Sequence, residues 1–170
     1  MRYLLIFVTA LTVWGCATAP LKFDFNPVAT IPGDFDVVWS AIIEYFAISN
    51  VPITTIEKDS GIIVSDWMDA SAQRSRAEDE TFCSCGRAGV ATIWWTRVRF
   101  SVFAKRTDAA SVDVRVTCLY QQHRQFADLY ATGNCNSTGY LERQLHEYVM
   151  AKVQGSPAPE VQVLQRATSD

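Results

Sequence analysis

The chain has 170 residues, 49% of them hydrophobic and 19% charged, and a formal charge of −3 from 15 basic and 18 acidic side chains. That length suits one domain of ordinary size, and with no basic run in the sequence, nucleic acid is not an expected partner.

Met1-Arg2-Tyr3 opens the chain with one basic residue, an apolar run continues to Val13, and Trp14-Gly15-Cys16-Ala17 follows. The run is too short to span a bilayer, which takes about twenty apolar residues. A basic start, a short apolar stretch and a small residue before a break read as an export signal. Val13-Trp14-Gly15-Cys16 resembles the lipobox of bacterial lipoproteins, although Trp14 is bulkier than the residue usual there. The resemblance implies cleavage before Cys16, acylation of its thiol and a lipid anchor. Ala17, in place of the Asp that favours inner-membrane retention in such proteins, implies the periplasmic face of the outer membrane. Removing residues 1–15 takes away Arg2 and no acid, so the mature charge becomes about −4.

Residues 16–31 are Pro-punctuated and weakly periodic, and are expected to be a lipidated tether. Pro32-Gly33-Asp34 marks a turn and an N-cap. Phe35, Val38, Trp39, Ile42, Tyr45 and Phe46 then recur at helical spacing, which predicts a helix over 35–48 ended by Asn50-Val51-Pro52. Ile53–Glu57 and Gly61–Trp67 are rich in β-branched residues around the turn Lys58-Asp59-Ser60-Gly61, the pattern of a hairpin. Residues 69–89 lack a period and read as a long loop, in which Glu78-Asp79-Glu80 is a solvated charge run.

The longest strand candidate is Val90–Lys105. Its even positions Trp94, Val98, Phe100 and Val102 are expected to face the core. Its odd positions include Trp95, Arg97, Arg99 and Phe103. After a turn at Asp108-Ala109-Ala110, Val112, Val114, Val116, Cys118 and Tyr120 alternate with polar residues, the signature of a half-buried antiparallel strand. Residues 121–136 read as polar and irregular. Ser137-Thr138-Gly139 offers capping oxygens, Glu142 sits in the first turn, and Leu141, Leu145, Tyr148 and Val149 form the stripe of a helix to about Lys152. The Pro- and Gly-rich stretch from Gly155 stops it. The expected fold is therefore α+β, a two-layer domain over 32–153. A four-stranded antiparallel sheet is covered on one face by an N-terminal and a C-terminal helix, with a flexible tail at 154–170.

With Cys16 carrying lipid, four cysteines remain: Cys83, Cys85, Cys118 and Cys135. An even number in an exported chain points to disulfides. Three pairings are open, of which Cys83 with Cys85 would close a tight ring. A zinc site is disfavoured by the spacing, one C-x-C pair and two isolated cysteines. A Cys-Ser-Cys redox centre lacks a basic context. No metal or cofactor is expected. His123 and His146 are the only histidines, and no nucleophile–base–orienter set can be assembled, so no enzymatic activity is expected.

Aromatic residues and Arg are what protein interfaces concentrate. Trp95, Arg97, Arg99 and Phe103, opposite the core stripe, are therefore the candidates for binding a partner.

The stretch Phe35–Trp67, with Asp59-Ser60-Gly61-Ile62-Ile63, and the run Cys135–Glu142 resemble small bacterial envelope lipoproteins with a helix-grip arrangement. They are similar in outline to the lipoprotein C subunit of the β-barrel assembly machinery. The resemblance suggests a Cys85–Cys135 disulfide tying the long loop to the last helix, which leaves Cys83 with Cys118. Taken together, the sequence leads to the expectation of a lipid-anchored, non-catalytic interaction or scaffold module, with an envelope protein as partner. A carrier of lipid or another small ligand is the alternative, and a thiol redox protein a third.

Overall fold

The computed structural model describes residues 18–70, 82–108 and 110–161, and the backbone of 165 and 166. The signal at 1–15, Cys16 and the run Glu78-Asp79-Glu80 lie outside the described residues. Among those described there are nine strands and two helices. The strands are β1 Val28–Pro32, β2 Ile53–Glu57, β3 Ile62–Ser65, β4 Met68–Asp69, β5 Cys83–Ser84, β6 Thr92–Asp108, β7 Ser111–Phe126, β8 Leu129–Ser137 and β9 Gln165–Arg166. The helices are α1 Phe35–Ile48 and α2 Tyr140–Val153.

Helix α1 begins where Asp34 accepts a 2.7 Å hydrogen bond from the Asp36 N–H, an Asx cap on an otherwise orphan donor. It stops after Ile48 with Ser49 as its C-cap, and Asn50 just beyond has a φ of 55°, the left-handed conformation that asparagine tolerates at a helix end. Its stripe of Phe35, Val38, Trp39, Ile42, Tyr45 and Phe46 is buried as the spacing predicted. Helix α2 buries Leu141, Leu145, Tyr148 and Val149. The two helices lie side by side, joined by the edge-on rings of Tyr45 and Tyr148 and by a 3.0 Å bond from the Tyr45 hydroxyl to Gln144 Oε1. Beneath them lie Val98, Phe100 and Val102 of β6 and Val112, Val114 and Val116 of β7. Each such side chain, fully buried, contributes roughly 1.5–3 kcal/mol, so this patch dominates the stability of the fold.

The expected four-stranded sheet is corrected by the structure. The strand order is β2-β3-β6-β7-β8-β5, with β1 added to β7, β4 to β6 and β9 to β4. The largest difference is at residues 121–136, which are not irregular. Strand β7 runs on to Phe126, turns at Ala127-Asp128 and returns as β8, in register from Phe126↔Leu129 to Tyr120↔Cys135. This end of the sheet escapes a search for alternation because both its faces carry polar side chains. The ladder of backbone hydrogen bonds does not depend on their hydropathy.

Two further segments are more tightly held than their composition implied. Val28–Pro32, in the expected tether, pairs with Arg115–Ser111 as β1. Upstream, the Leu21 N–H donates to Ser84 Oγ at 3.0 Å, and Asn136 Nδ2 donates to the Leu21 carbonyl at 2.8 Å. In the expected tail, Ala158 and Val161 pack on the core, and β9 pairs with β4. At the β2–β3 turn, Gly61 has a φ of 70°, and a Cβ there would lie 1.9 Å from the Ala104 carbonyl oxygen. The turn residue therefore also allows the hairpin to close on β6.

One edge of β7 is shared. Strand β1 covers Ser111–Arg115, the Val116 N–H donates to the Pro27 carbonyl, and β8 takes over at Tyr120. The Cys118 N–H falls in the gap. It is met by Glu142 Oε1 from α2 at 3.1 Å, while Glu142 Oε2 accepts from the Ser137 hydroxyl at 2.9 Å.

Candidate functional site

On the side of the sheet away from the helices, cross-strand register assembles a continuous row of rings and guanidinium groups. Arg97 of β6 lies between two indoles, its Cζ 4.2 Å from the Trp67 ring centre and 4.5 Å from that of Trp95. Arg99 also lies over Trp67, its Cζ 5.0 Å from the ring centre. Trp95 stands opposite His123 in the ladder and stacks on it at 5.1 Å with planes 12° apart. His123 stacks in turn on Tyr130 at 5.8 Å, and Tyr130 meets the edge of Trp94. The row thus runs Arg99, Trp67, Arg97, Trp95, His123, Tyr130, Trp94.

Local pairing explains each placement. Trp95, Arg97 and Arg99 share one face of β6 by strand alternation. Trp67 enters from the β3–β4 connection, and Met68↔Val98 and Asp69↔Arg97 hold that connection against β6. His123 and Tyr130 come from β7 and β8. Trp94 was expected in the core and is instead 59% exposed. The register passes from Ile93↔Arg124 to Trp95↔His123, so Trp94 is the extra residue of a β-bulge. Its indole N–H donates to Gln125 Oε1 at 2.8 Å on the aromatic side.

Among the candidates named from sequence, Trp95, Arg97 and Arg99 are brought together. Phe103 lies on the same face of β6 and is exposed, opposite Arg115 and Ile62. It is four residues beyond Arg99, about 13 Å along the strand, and outside the stacked row. Trp67, His123 and Tyr130 were missed. Only the register of β4, β7 and β8 on β6 reveals them, and the one sequence signal was the clustering of aromatics near Arg.

Arg97 is held by two bonds to Gln121 Oε1, from Nε at 3.2 Å and Nη2 at 2.8 Å. Among the described residues no carboxylate forms an ion pair with Arg97 or Arg99. Two cations are therefore fixed on aromatic platforms at the solvent-facing side of the sheet. A cation over an aromatic face gains about 0.5–1 kcal/mol at an exposed site, enough to restrict a guanidinium without consuming all its donors.

The inner side of the same sheet end is covered differently. Cys85 and Cys135 form a disulfide that ties residues 82–88 to β8. Arg124 reinforces the tie through its hydrogen bonds to the Cys85, Gly86 and Arg87 carbonyls. The Gln122 side-chain amide donates to Thr96 Oγ1 beneath them at 3.1 Å. Cys83 and Cys118 are not joined to each other. The Cys83 sulfur lies 3.8 Å from that of Cys85, whereas Cys118 is buried beside Glu142.

Burial pushes the Cys118 thiol well above its ordinary pKa, and the neighbouring Glu142 charge adds to the effect. Such a thiol carries little thiolate and is not an activated nucleophile. Burial likewise raises Glu142, against the opposing bonds from Ser137 and the Cys118 N–H. His146 is lowered by burial, and its Nε2 lies 2.9 Å from the Val114 carbonyl, so the neutral ring donates there. These polar groups bind helix to sheet.

Fold and surface together define a large antiparallel sheet with two helices on one side, whose open face presents a cation–aromatic row. No protein-family model matches the chain, and the search of curated proteins finds no match. Among the described residues, no helix is long and apolar enough to cross a membrane.

Proposed function

We propose that this protein is a lipid-anchored, non-catalytic interaction module at the periplasmic face of the outer membrane. In this reading it holds an acidic segment of an envelope protein against the open face of its sheet. The observation that carries it is the row from Arg99 to Trp94, with Arg97 and Arg99 fixed on indole rings and lacking carboxylate partners among the described residues. Trp, Tyr and Arg supply most of the energy at protein interfaces, and cations already held in place lose less freedom on binding. Nearby Arg115 is exposed on the same face and extends its positive character toward Phe103.

The lipid on Cys16 belongs to the same proposal and rests on the apolar run and the Val13–Cys16 motif. Because the chain is docked on the domain from Thr18 onward, through the Arg87 N–H to Thr18 Oγ1 bond, a lipid there would sit about two residues, or roughly 7 Å of extended chain, from the folded surface. Such a short connection concentrates the open face near membrane partners.

A photoreactive residue in place of the exposed Ser101, beside the row, tests the face in intact envelopes. One crosslinked envelope protein, lost when Trp95→Ala and Arg97→Glu are added to a still-folded domain, is expected. Crosslinking indifferent to those changes would place the partner elsewhere. Cys16→Ser tests the anchor, and the expected result is release of the chain from the membrane fraction.

A further inference from the structure

We propose that Cys83, Cys85 and Cys135 are a redox-gated metal site, closed by a disulfide when oxidised and able to hold a thiolate-seeking cation such as Zn²⁺ when reduced. The three sulfurs lie within 4.8 Å of one another. The Cys83 and Cys85 sulfurs are 3.8 Å apart. That matches the edge of a tetrahedron with zinc–sulfur bonds of about 2.3 Å, roughly 3.8 Å. The sequence spacing gave no hint of this trio, because Cys135 arrives from the far strand of a hairpin.

Opening the disulfide would not scatter the sulfurs. Cys83 is fixed by the pairing Cys83↔Ser137, and Cys135 by Tyr120↔Cys135. Arg124 holds the carbonyls of Cys85 and Gly86 through bonds that do not involve the sulfurs. Its charge also offsets the excess that three thiolates place around a divalent ion. A cleft of about 250 Å³ touches Cys85 and Cys135, and another of about 400 Å³ reaches Cys135 beside Ser137. They give a reductant and an ion access, and leave room for a water as fourth ligand.

The chemistry balances with a small dithiol as reductant. One of its thiolates attacks the disulfide to give a mixed disulfide. Its second thiol then closes on the first, and the dithiol departs as a cyclic disulfide. Its two hydrogens end on Cys85 and Cys135. Zn²⁺ then displaces the thiol protons of Cys83, Cys85 and Cys135 to solvent. The junction between residues 82–88 and β8 is thereby closed by a covalent bond in one state and by an ion in the other.

The test uses the full chain, reduced by a dithiol that is then removed under anaerobic conditions. Zn²⁺ is titrated against a chromogenic chelator, with Co²⁺ charge-transfer absorption counting the thiolates. One ion per reduced chain and three thiolates are expected, with no binding by the oxidised chain. Cys83→Ser keeps the disulfide and the fold, and after reduction should bind zinc at least about tenfold more weakly with one thiolate fewer. Cys118→Ser should change nothing. Equal binding by Cys83→Ser, or loss in Cys118→Ser, overturns the assignment. Melting of the reduced chain with and without Zn²⁺ guards against loss of fold. A zinc-dependent rise in Tm that disappears in Cys83→Ser supports the site, and no rise refutes it.

Discussion

The two ends of the long β6–β7 hairpin share one backbone ladder but are stabilised in opposite ways. Near the β6–β7 turn, the inner face carries Val98, Phe100, Val102, Val112, Val114 and Val116 under two helices. At the far end, where β8 joins, the inner face carries Gln122, Arg124 and Cys135 under a disulfide-tied strap, and the outer face carries the cation–aromatic row. The first end is held by removal of apolar surface from water, which is non-directional and proportional to area. The second is held by directed contacts, each of which needs a particular partner. A sheet can therefore extend beyond its hydrophobic cover, provided covalent and polar ties replace it, and the extension leaves one face open.

Changes at the two ends should differ accordingly. Phe100, buried against the edge of Phe46, lies at the centre of the covered end. Phe100→Ala should cost about 3–5 kcal/mol in denaturant unfolding. A cost like that of a surface change would mean the helices do not seal this face. Replacing Cys85 and Cys135 by Ser opens a loop of sequence separation 50 at the other end, with an expected cost of about 2–4 kcal/mol. Hydrogen exchange should show the lost protection concentrated in residues 82–88 and β8. Uniform loss through α1 would show that the two ends unfold as one.

Glu142 sits at the boundary, and its replacement sharpens the comparison. Glu142→Ala leaves the buried Cys118 N–H without its acceptor and should cost about 1–3 kcal/mol. The pH dependence has a definite sign. Glu142 is raised above 4.5 in the folded state, so its burial penalty is present at neutral pH and is relieved as pH falls through the folded pKa toward 4.5. His146 is lowered from 6.5, so its contribution is present above 6.5 and is lost as pH falls toward its folded pKa. Glu142→Gln removes the relief and keeps the His146 loss. Stability of that variant should therefore decline more steeply below pH 6.5 than that of the unsubstituted chain. Parallel profiles would show that Glu142 does not titrate differently on unfolding.

The smallest effect on stability is expected at the open face. Trp95→Ala or Arg97→Gln should shift unfolding by about 1 kcal/mol or less, since only exposed stacking and cation–aromatic contacts are lost. A loss of several kcal/mol at either position would show that this side is internal, and would sink the interaction reading.

The covered end was legible because burial imposes a period. Both helices, the first hairpin and the inner stripe of Phe100, Val102, Val112, Val114 and Val116 followed from spacing. The same logic misplaced Trp94, since one extra residue in a strand reverses the faces beyond it. It also passed over β8, because Gln121–Gln125 and Thr132–Asn134 place polar groups on both sides. Part of the outer face was visible as Trp95, Arg97 and Arg99, while Trp67, His123 and Tyr130 entered from other strands.

By itself the sequence determined which segments are amphipathic, because each helix or strand must turn its own apolar residues to one side. It also carried the Val13–Cys16 motif from which the anchor is proposed. Only the tertiary structure decided how far the sheet extends and which rings flank Arg97. It also decided that Glu142 fills the gap between β1 and β8, and that Cys135 meets Cys83 and Cys85. Those outcomes depend on register between segments distant in the chain, and register is fixed by the sum of many weak pairings that no local pattern records.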